Sequence, residues 1–151
     1  MTMTQPNPNP DQTQFDDRAR HAKLRLISDN ELYAEANQFA AEPNIPDTKQ
    51  LYSLLNYAVD WNTLNRFVKH QKERTWELSK AYYVDFYTKL DGVLNGKNGL
   101  MDRTKTRWGL VPPGLNKTDT NAVAERWAAV AAHEFIQHFV AEALSRSVSG
   151  N

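Results

Sequence analysis

Residues 51–94 read LYSLLNYAVDWNTLNRFVKHQKERTWELSKAYYVDFYTKLDGVL, and the spacing of their apolar side chains decides the fold class. Leu51, Leu54, Leu55 and Ala58 fall three and four apart, as do Leu64, Phe67 and Val68, then Leu78, Tyr82, Phe86, Leu90 and Val93. That spacing lays an apolar stripe along α-helices, whereas a half-buried strand would alternate. The middle of the stretch also carries Arg66, Lys69, Lys72 and Arg74. One element would therefore supply both a buried seam and a basic face.

The chain has 151 residues, the usual length of one domain, long enough to bury about two-thirds of the surface its unfolded form exposes. Cysteine is absent, which removes disulfides, thiolate metal sites and cysteine nucleophiles and suits a reducing compartment. No apolar run approaches the roughly 20 residues that span a bilayer, and the opening MTMTQPNPNPDQTQ lacks the basic and apolar regions of a signal peptide. The expectation is a cytoplasmic protein with no membrane contact. Eighteen basic and eighteen acidic side chains give zero net charge, yet the distribution is uneven. From Arg66 to Lys117 eleven Lys and Arg face five Asp and Glu, so this half is basic and the remainder acidic. Such asymmetry would set a basic surface against a phosphate backbone; its other reading is ordinary solvated helix faces.

Residues 1–14, with Pro6, Pro8 and Pro10 among Asn, Gln and Thr, read as a disordered tail. Phe15 to Ile27 reads as a frayed helix or an extended arm, with Arg18, Arg20, Lys23 and Arg25 as a second basic cluster. Ser28 with Glu31 has the form of a capping box opening a helix to Ala41, which Pro43 and Pro46 end. Asp47 is a natural N-cap for the next helix. A short break at Asp60-Trp61-Asn62 precedes a helix from Asn62 or Thr63 towards Arg74, continuing after a kink near Thr75-Trp76 to Leu94, with Gly92 and Gly96 at its end. The last element, Asn121 to Ser147, is a helix with Ala122, Val123, Trp127, Val130, Ala131, Phe135, Phe139, Ala143 and Leu144 on its apolar side, capped by Thr118, Asp119 or Thr120. Alanines at 128, 129, 131 and 132 would let another helix approach closely. Residues 148–151 should fray. The fold expected is all-α: one helical domain over 15–147, a bundle of four to six helices.

Between the last two helices, 95–120 holds Asn95-Gly96, Asn98-Gly99, Gly109 and Pro112-Pro113-Gly114, a density of turn formers that predicts a long loop. It is basic, with Lys97, Arg103, Lys105, Arg107 and Lys117 around Trp108. Two readings stay open. Cations meeting phosphates beside an indole that stacks on a base would make a single-stranded nucleic-acid surface; alternatively Trp108, Leu110 and Val111 anchor the loop to the core.

The string His133-Glu134-Phe135-Ile136-Gln137-His138 suggests a zinc-protease helix, but its histidines stand five apart. Five residues turn about 500°, so the rings diverge, whereas the zinc motif needs i and i+4. His138 does share a face with Glu134 and Glu142, a weak set of metal donors whose other reading is solvation. Phosphate loops, serine elbows and enforced carboxylate pairs are all lacking. The residues point to no catalytic centre, metal, cofactor or small-molecule substrate. Among the many aromatics, Trp76, Tyr83 and Tyr87 lie towards the less apolar flank of their helix and read as candidate interface anchors.

The pattern LYSLLNYAVDWNTLNRFVKHQKERTW, the second helix AYYVDFYTKLDGVL and the closing HEFIQHFVAEAL together resemble the small helical subunit of type III CRISPR effector complexes, over residues 47–94 and 121–145. The resemblance implies a compact, non-catalytic bundle that stacks along the ribonucleoprotein, contacting larger effector subunits, copies of itself and RNA. It would assign Lys69, Lys72 and Arg74, with Arg66 beside them, to RNA phosphates, and the loop residues Arg103, Lys105, Arg107 and Trp108 would add to that surface. The competing class is a helical protein-interaction adaptor or homo-oligomer with no nucleic-acid role, working through the alanine face and exposed aromatics.

Overall fold

The computed structural model describes the backbone of residues 10–149 and the side chains of residues 16–148. Seven α-helices follow one another among the described residues: α1 (Pro10–Ile27), α2 (Tyr33–Ala40), α3 (Thr48–Tyr57), α4 (Trp61–Glu73), α5 (Tyr83–Asn95), α6 (Leu100–Thr106) and α7 (Lys117–Ser149). A π turn at Ser28–Leu32 joins α1 to α2, so the two form one rod, and the expected all-α bundle is the fold. Most of the tail expected at 1–14 lies outside the described residues, as do residues 150–151. Residues 10–14 already belong to α1, and 148–149 still belong to α7.

The 33-residue helix α7 is the post around which the others stand. No Gly or Pro interrupts it. Its buried side chains recur three and four apart as a wide band: Ala124, Trp127, Ala128, Ala131, Ala132, Phe135, Ile136, Phe139, Val140 and Ala143. A band that wide can take neighbours on more than one side, and α2, α3, α4, α6 and the π turn all pack on α7. The α1–α2 rod runs in the same direction as α7, with Asp17 near Arg126, Ser28 beside Glu134 and His138, and Phe39 against Phe139. α5 closes the bundle by pairing with α4. At the centre Phe39 lies 5.0 Å from Phe139 and 5.6 Å from Phe86, ring centre to ring centre.

Helix starts follow the sequence where a cap is real. Asp47 accepts from the Gln50 amide at 2.9 Å, and Asp60 accepts from the Thr63 amide at 2.8 Å. Four expectations change. Ser28 and Glu31 form no capping box, because the helix does not begin there: a π turn carries the rod through, and both side chains reach other helices. α4 does not kink into α5 but stops at Arg74, whose backbone is extended; the Trp76 indole then donates to the Gln71 carbonyl at 2.9 Å and closes the helix end. Asn116, not a residue at 118–120, caps α7 by accepting from the Asp119 amide at 2.8 Å.

The fourth change concerns the loop. Residues 95–120 are only partly loop, since α6 occupies Leu100–Thr106 and α7 starts at Lys117. Gly96 and Gly99 make the reversal between α5 and α6 possible. A Cβ on Gly96 would sit 2.6 Å from the Gly92 carbonyl oxygen, and one on Gly99 would sit 2.8 Å from two carbonyl oxygens. Gly109, at φ 65°, then lets the chain turn with Trp108 and Leu110 both buried.

Tyr83 and Tyr87 are not surface anchors. Both are buried on α5, because α3 covers that flank: the Asp47 amide donates to the Tyr83 hydroxyl at 3.1 Å, and the Gln50 side-chain amide donates to the Tyr87 hydroxyl. Burial pushes the Tyr83 phenol up to about 12 and raises Tyr87 further. A raised folded-state pKa stabilises the fold below the unfolded value of about 10 and loses that contribution as pH climbs towards the folded value. Urea stability should therefore fall above pH ~10, and Tyr83→Phe should flatten that alkaline decline. At the centre of the bundle, Phe139→Ala should cost about 3–5 kcal/mol, read from the urea midpoint at unchanged slope.

Candidate nucleic-acid interface

The eight residues the sequence assigns to RNA divide into two groups. Arg66 and Lys69 stand one turn apart on the solvent side of α4, exposed and, among the described residues, without an ion pair. The opposite face of the helix, with Trp61, Leu64, Phe67 and Val68, is buried, so the apolar seam fixes the direction of both cations. Asn62 and Asn65 share their face, and the four side chains line a shallow hollow of roughly 390 Å³. Asn65 is held there: its amide donates to the Trp61 carbonyl at 2.8 Å, and its oxygen accepts from Asn95 at 2.6 Å. Sequence reasoning passed over the two asparagines, although Asn62 four residues before Arg66 and Asn65 four before Lys69 lie on the same stripe.

Lys72 is engaged within the fold. Its ammonium lies 3.0 Å from the Asp91 carboxylate on α5. Burial pushes the Asp91 carboxyl up, but hydrogen bonds from Asn95 and Lys72 outweigh it and hold the group below the usual carboxylate range. Arg74, exposed just past the end of α4, lies over the Trp76 ring at 4.2 Å. Lys105 is exposed on α6, on a separate element from Arg66 and Lys69.

Arg103 and Trp108 belong to the interior. Arg103 is 6% exposed and Trp108 4%. The Arg103 guanidinium donates to Glu31 at 2.9 Å and to Glu35 at 2.7 Å, two carboxylates one turn apart on the rod. Arg107 donates to the same Glu31, and the Trp108 indole donates to its other oxygen at 3.0 Å. The guanidinium of Arg103 also lies 5.1 Å from the Trp108 ring centre. Trp108 thus takes the anchoring role of its two readings, and neither its ring face nor the Arg103 fork is presented to solvent. The signal was in the sequence as Glu31 and Glu35, an i, i+4 acidic pair, but no spacing rule links residue 31 to residue 103.

A second polar cluster sits on the π turn. The Ser28 hydroxyl, 1% exposed, donates to Glu134 at 2.9 Å and lies 2.9 Å from His138 Nε2, while Tyr33 meets the His138 ring edge-on at 5.4 Å. Because the hydroxyl has one proton, the consistent arrangement is His138 donating to Ser28 and Ser28 donating to Glu134. Ser28 is thereby a buried link between helices, with its oxygen closed to any substrate. Glu142, the third donor considered with His138, accepts from Arg146 at 3.0 Å instead. Among the described residues no three His, Asp or Glu side chains gather to hold a metal ion, and no helix is long and apolar enough to cross a membrane.

Comparison with protein families, with curated proteins and with solved structures yields no match.

Removing Arg103 takes the guanidinium from Glu35, one of three donors from Glu31 and the cation from the Trp108 ring. Arg103→Met should therefore lower stability by about 3 kcal/mol, whereas Lys105→Met, on the exposed side of the same helix, should change it by less than about 0.5 kcal/mol. Equal urea midpoints for the two variants would contradict the interior role of Arg103.

Proposed function

We propose that this chain is a non-catalytic small subunit of a type III CRISPR RNA-guided effector complex, and that it meets the RNA backbone through α4. The observation that carries the reading is the pair Arg66 and Lys69, exposed and without ion pairs beside Asn62 and Asn65. Two cations backed by two amides suit phosphate and ribose oxygens: the charges neutralise phosphates and the amides donate hydrogen bonds, with no base edge read. Arg74 extends the surface along the strand. Lys72, tied to Asp91, contributes field more than contact. Larger effector subunits and further copies of the chain are the protein partners in this reading, which needs no cofactor or small molecule.

A second reading, a helical adaptor without nucleic acid, is favoured by one observation: Tyr52, Tyr57 and Val59 are exposed on α3 and the link that follows it. In that case α4 would be a solvated face.

With roughly three phosphate contacts, binding of a single-stranded RNA should fall with a slope near −2 in log K against log salt. Arg66→Glu with Lys69→Glu should weaken fluorescence-anisotropy binding at low salt by at least about a hundredfold, near 1.4 kcal/mol per charge, while the circular dichroism spectrum stays unchanged. RNA affinity insensitive to this double substitution, or no binding even at low salt, would sink the proposal and favour the adaptor.

A further inference from the structure

A second concavity of the bundle adjoins the α4 hollow at Asn62. Along α7 the residues Ala122, Glu125, Arg126, Ala129, Val130 and His133, spaced three and four apart, face an open trough of roughly 660 Å³. The link between α3 and α4, residues 58–60, and the first two residues of α4, Trp61 and Asn62, form its other wall. The volume falls within the range of about 300–1,000 Å³ typical of binding clefts. Ala122 and Ala129 keep the floor low, and Val59, 68% exposed, stands at the rim beside Trp61.

The walls are fixed. His133 Nδ1 donates to the Ala58 carbonyl at 2.8 Å and ties the link to α7. Asp60 is held by the Thr63 amide and hydroxyl, which keep its carboxyl below the usual range and therefore charged. The charge of the trough is one-sided. Glu125 makes no hydrogen bond or ion pair among the described residues. Arg126, the one guanidinium present, lies on the Trp127 ring at 5.0 Å and faces Asp17 at 3.4 Å, so its charge is already balanced.

We propose that this trough receives a cationic amphipathic helix of a protein partner, a bulky apolar side chain resting on Ala122, Ala129 and Val130 while flanking Lys or Arg residues meet Asp60 and Glu125. An apolar helix face lying in a groove whose rim carries the opposite charge is a recurrent mode of protein recognition. A phosphate backbone is the wrong ligand here, since Asp60 and Glu125, neither in an ion pair among the described residues, would repel it. The site lies on α7, the 58–60 link and the first residues of α4, and it meets the α4 hollow only at Asn62.

The test is a titration of isotope-labelled full chain with two capped synthetic helices of equal length and leucine content, one bearing lysine and the other glutamate at its polar positions. The lysine helix should shift the amide signals of Val59, Trp61, Ala129 and His133, and the glutamate helix should not. Glu125→Lys should weaken the lysine helix by about tenfold or more, the scale of one charge contact, and Val59→Asp, at an exposed rim position that spares the core, should retain the fold and still alter binding. Lys69→Glu, one turn further along α4 and outside the trough lining, should leave this binding unchanged, which separates it from the RNA face. Equal binding of both helices, no shift at the trough, or full affinity in Glu125→Lys would overturn the proposal. So would trough shifts that appear with protein concentration alone together with a dimer in sedimentation, because a second copy would then be the occupant.

Discussion

The ion pair of Arg103 with Glu31 and Glu35 is the constraint on which the arrangement of the bundle turns. A guanidinium at 6% exposure has lost its water, and without carboxylates at hydrogen-bonding distance it would cost several kcal/mol. Two carboxylates one helical turn apart meet that need only if Glu31 and Glu35 lie on a continuous rod. The rod stays continuous because the π turn at Ser28–Leu32 carries it past the point where a new helix would otherwise begin. On one side of that turn Ser28 reaches α7, and on the other Glu31 reaches α6 and Trp108. Two polar contacts in consecutive turns thus bind the N-terminal rod to the C-terminal post and to the segment between.

This division explains the charge map better than net charge does. The basic half of the chain contains cations of two kinds. Arg103 and Arg107 answer the acidic residues of the rod, and Lys72 answers Asp91; their contribution is to the fold. Arg66 and Lys69 make no ion pair among the described residues and lie where the apolar seam of α4 forces them outward. A surface that binds a polyanion draws on the second kind. The same logic applied to carboxylates separates Glu31 and Glu35 from Glu125, which makes no hydrogen bond or ion pair among the described residues and lines an apolar trough.

Much of the fold was legible in the residues. The seams of α3, α4 and α5, the N-cap Asp47 and the long apolar band of α7 are local signals, each set by side chains a few residues apart, and the helices they imply are present; Leu78, read as part of the seam, is 95% exposed between α4 and α5. What failed was non-local. Ser28 and Glu31 match a capping box in sequence, yet a cap exists only where a helix starts, and packing against α7 removed the start. Arg74 and Thr75 carry helix-compatible side chains, so nothing local announced that the Trp76 indole would terminate α4 by bonding Gln71. In the segment after Asn95, glycines and prolines hid the short helix α6, whose stability comes from contacts with residues more than sixty positions away. The site was legible to the same degree: the direction of Arg66 and Lys69 follows from helical periodicity, whereas the burial of Arg103 and Trp108 depends on partners no spacing rule identifies.

The most direct measurement is chemical footprinting of the native chain, with phenylglyoxal for arginine and an acetylating reagent for lysine, each read by mass spectrometry with and without single-stranded RNA. Arg103 should stay unreactive in both conditions, while Arg66 and Lys69 should react freely and become protected when RNA is added. An Arg103 that is modified readily and then shielded by RNA, with Arg66 and Lys69 indifferent to it, would contradict both the interior ion pair and the α4 surface.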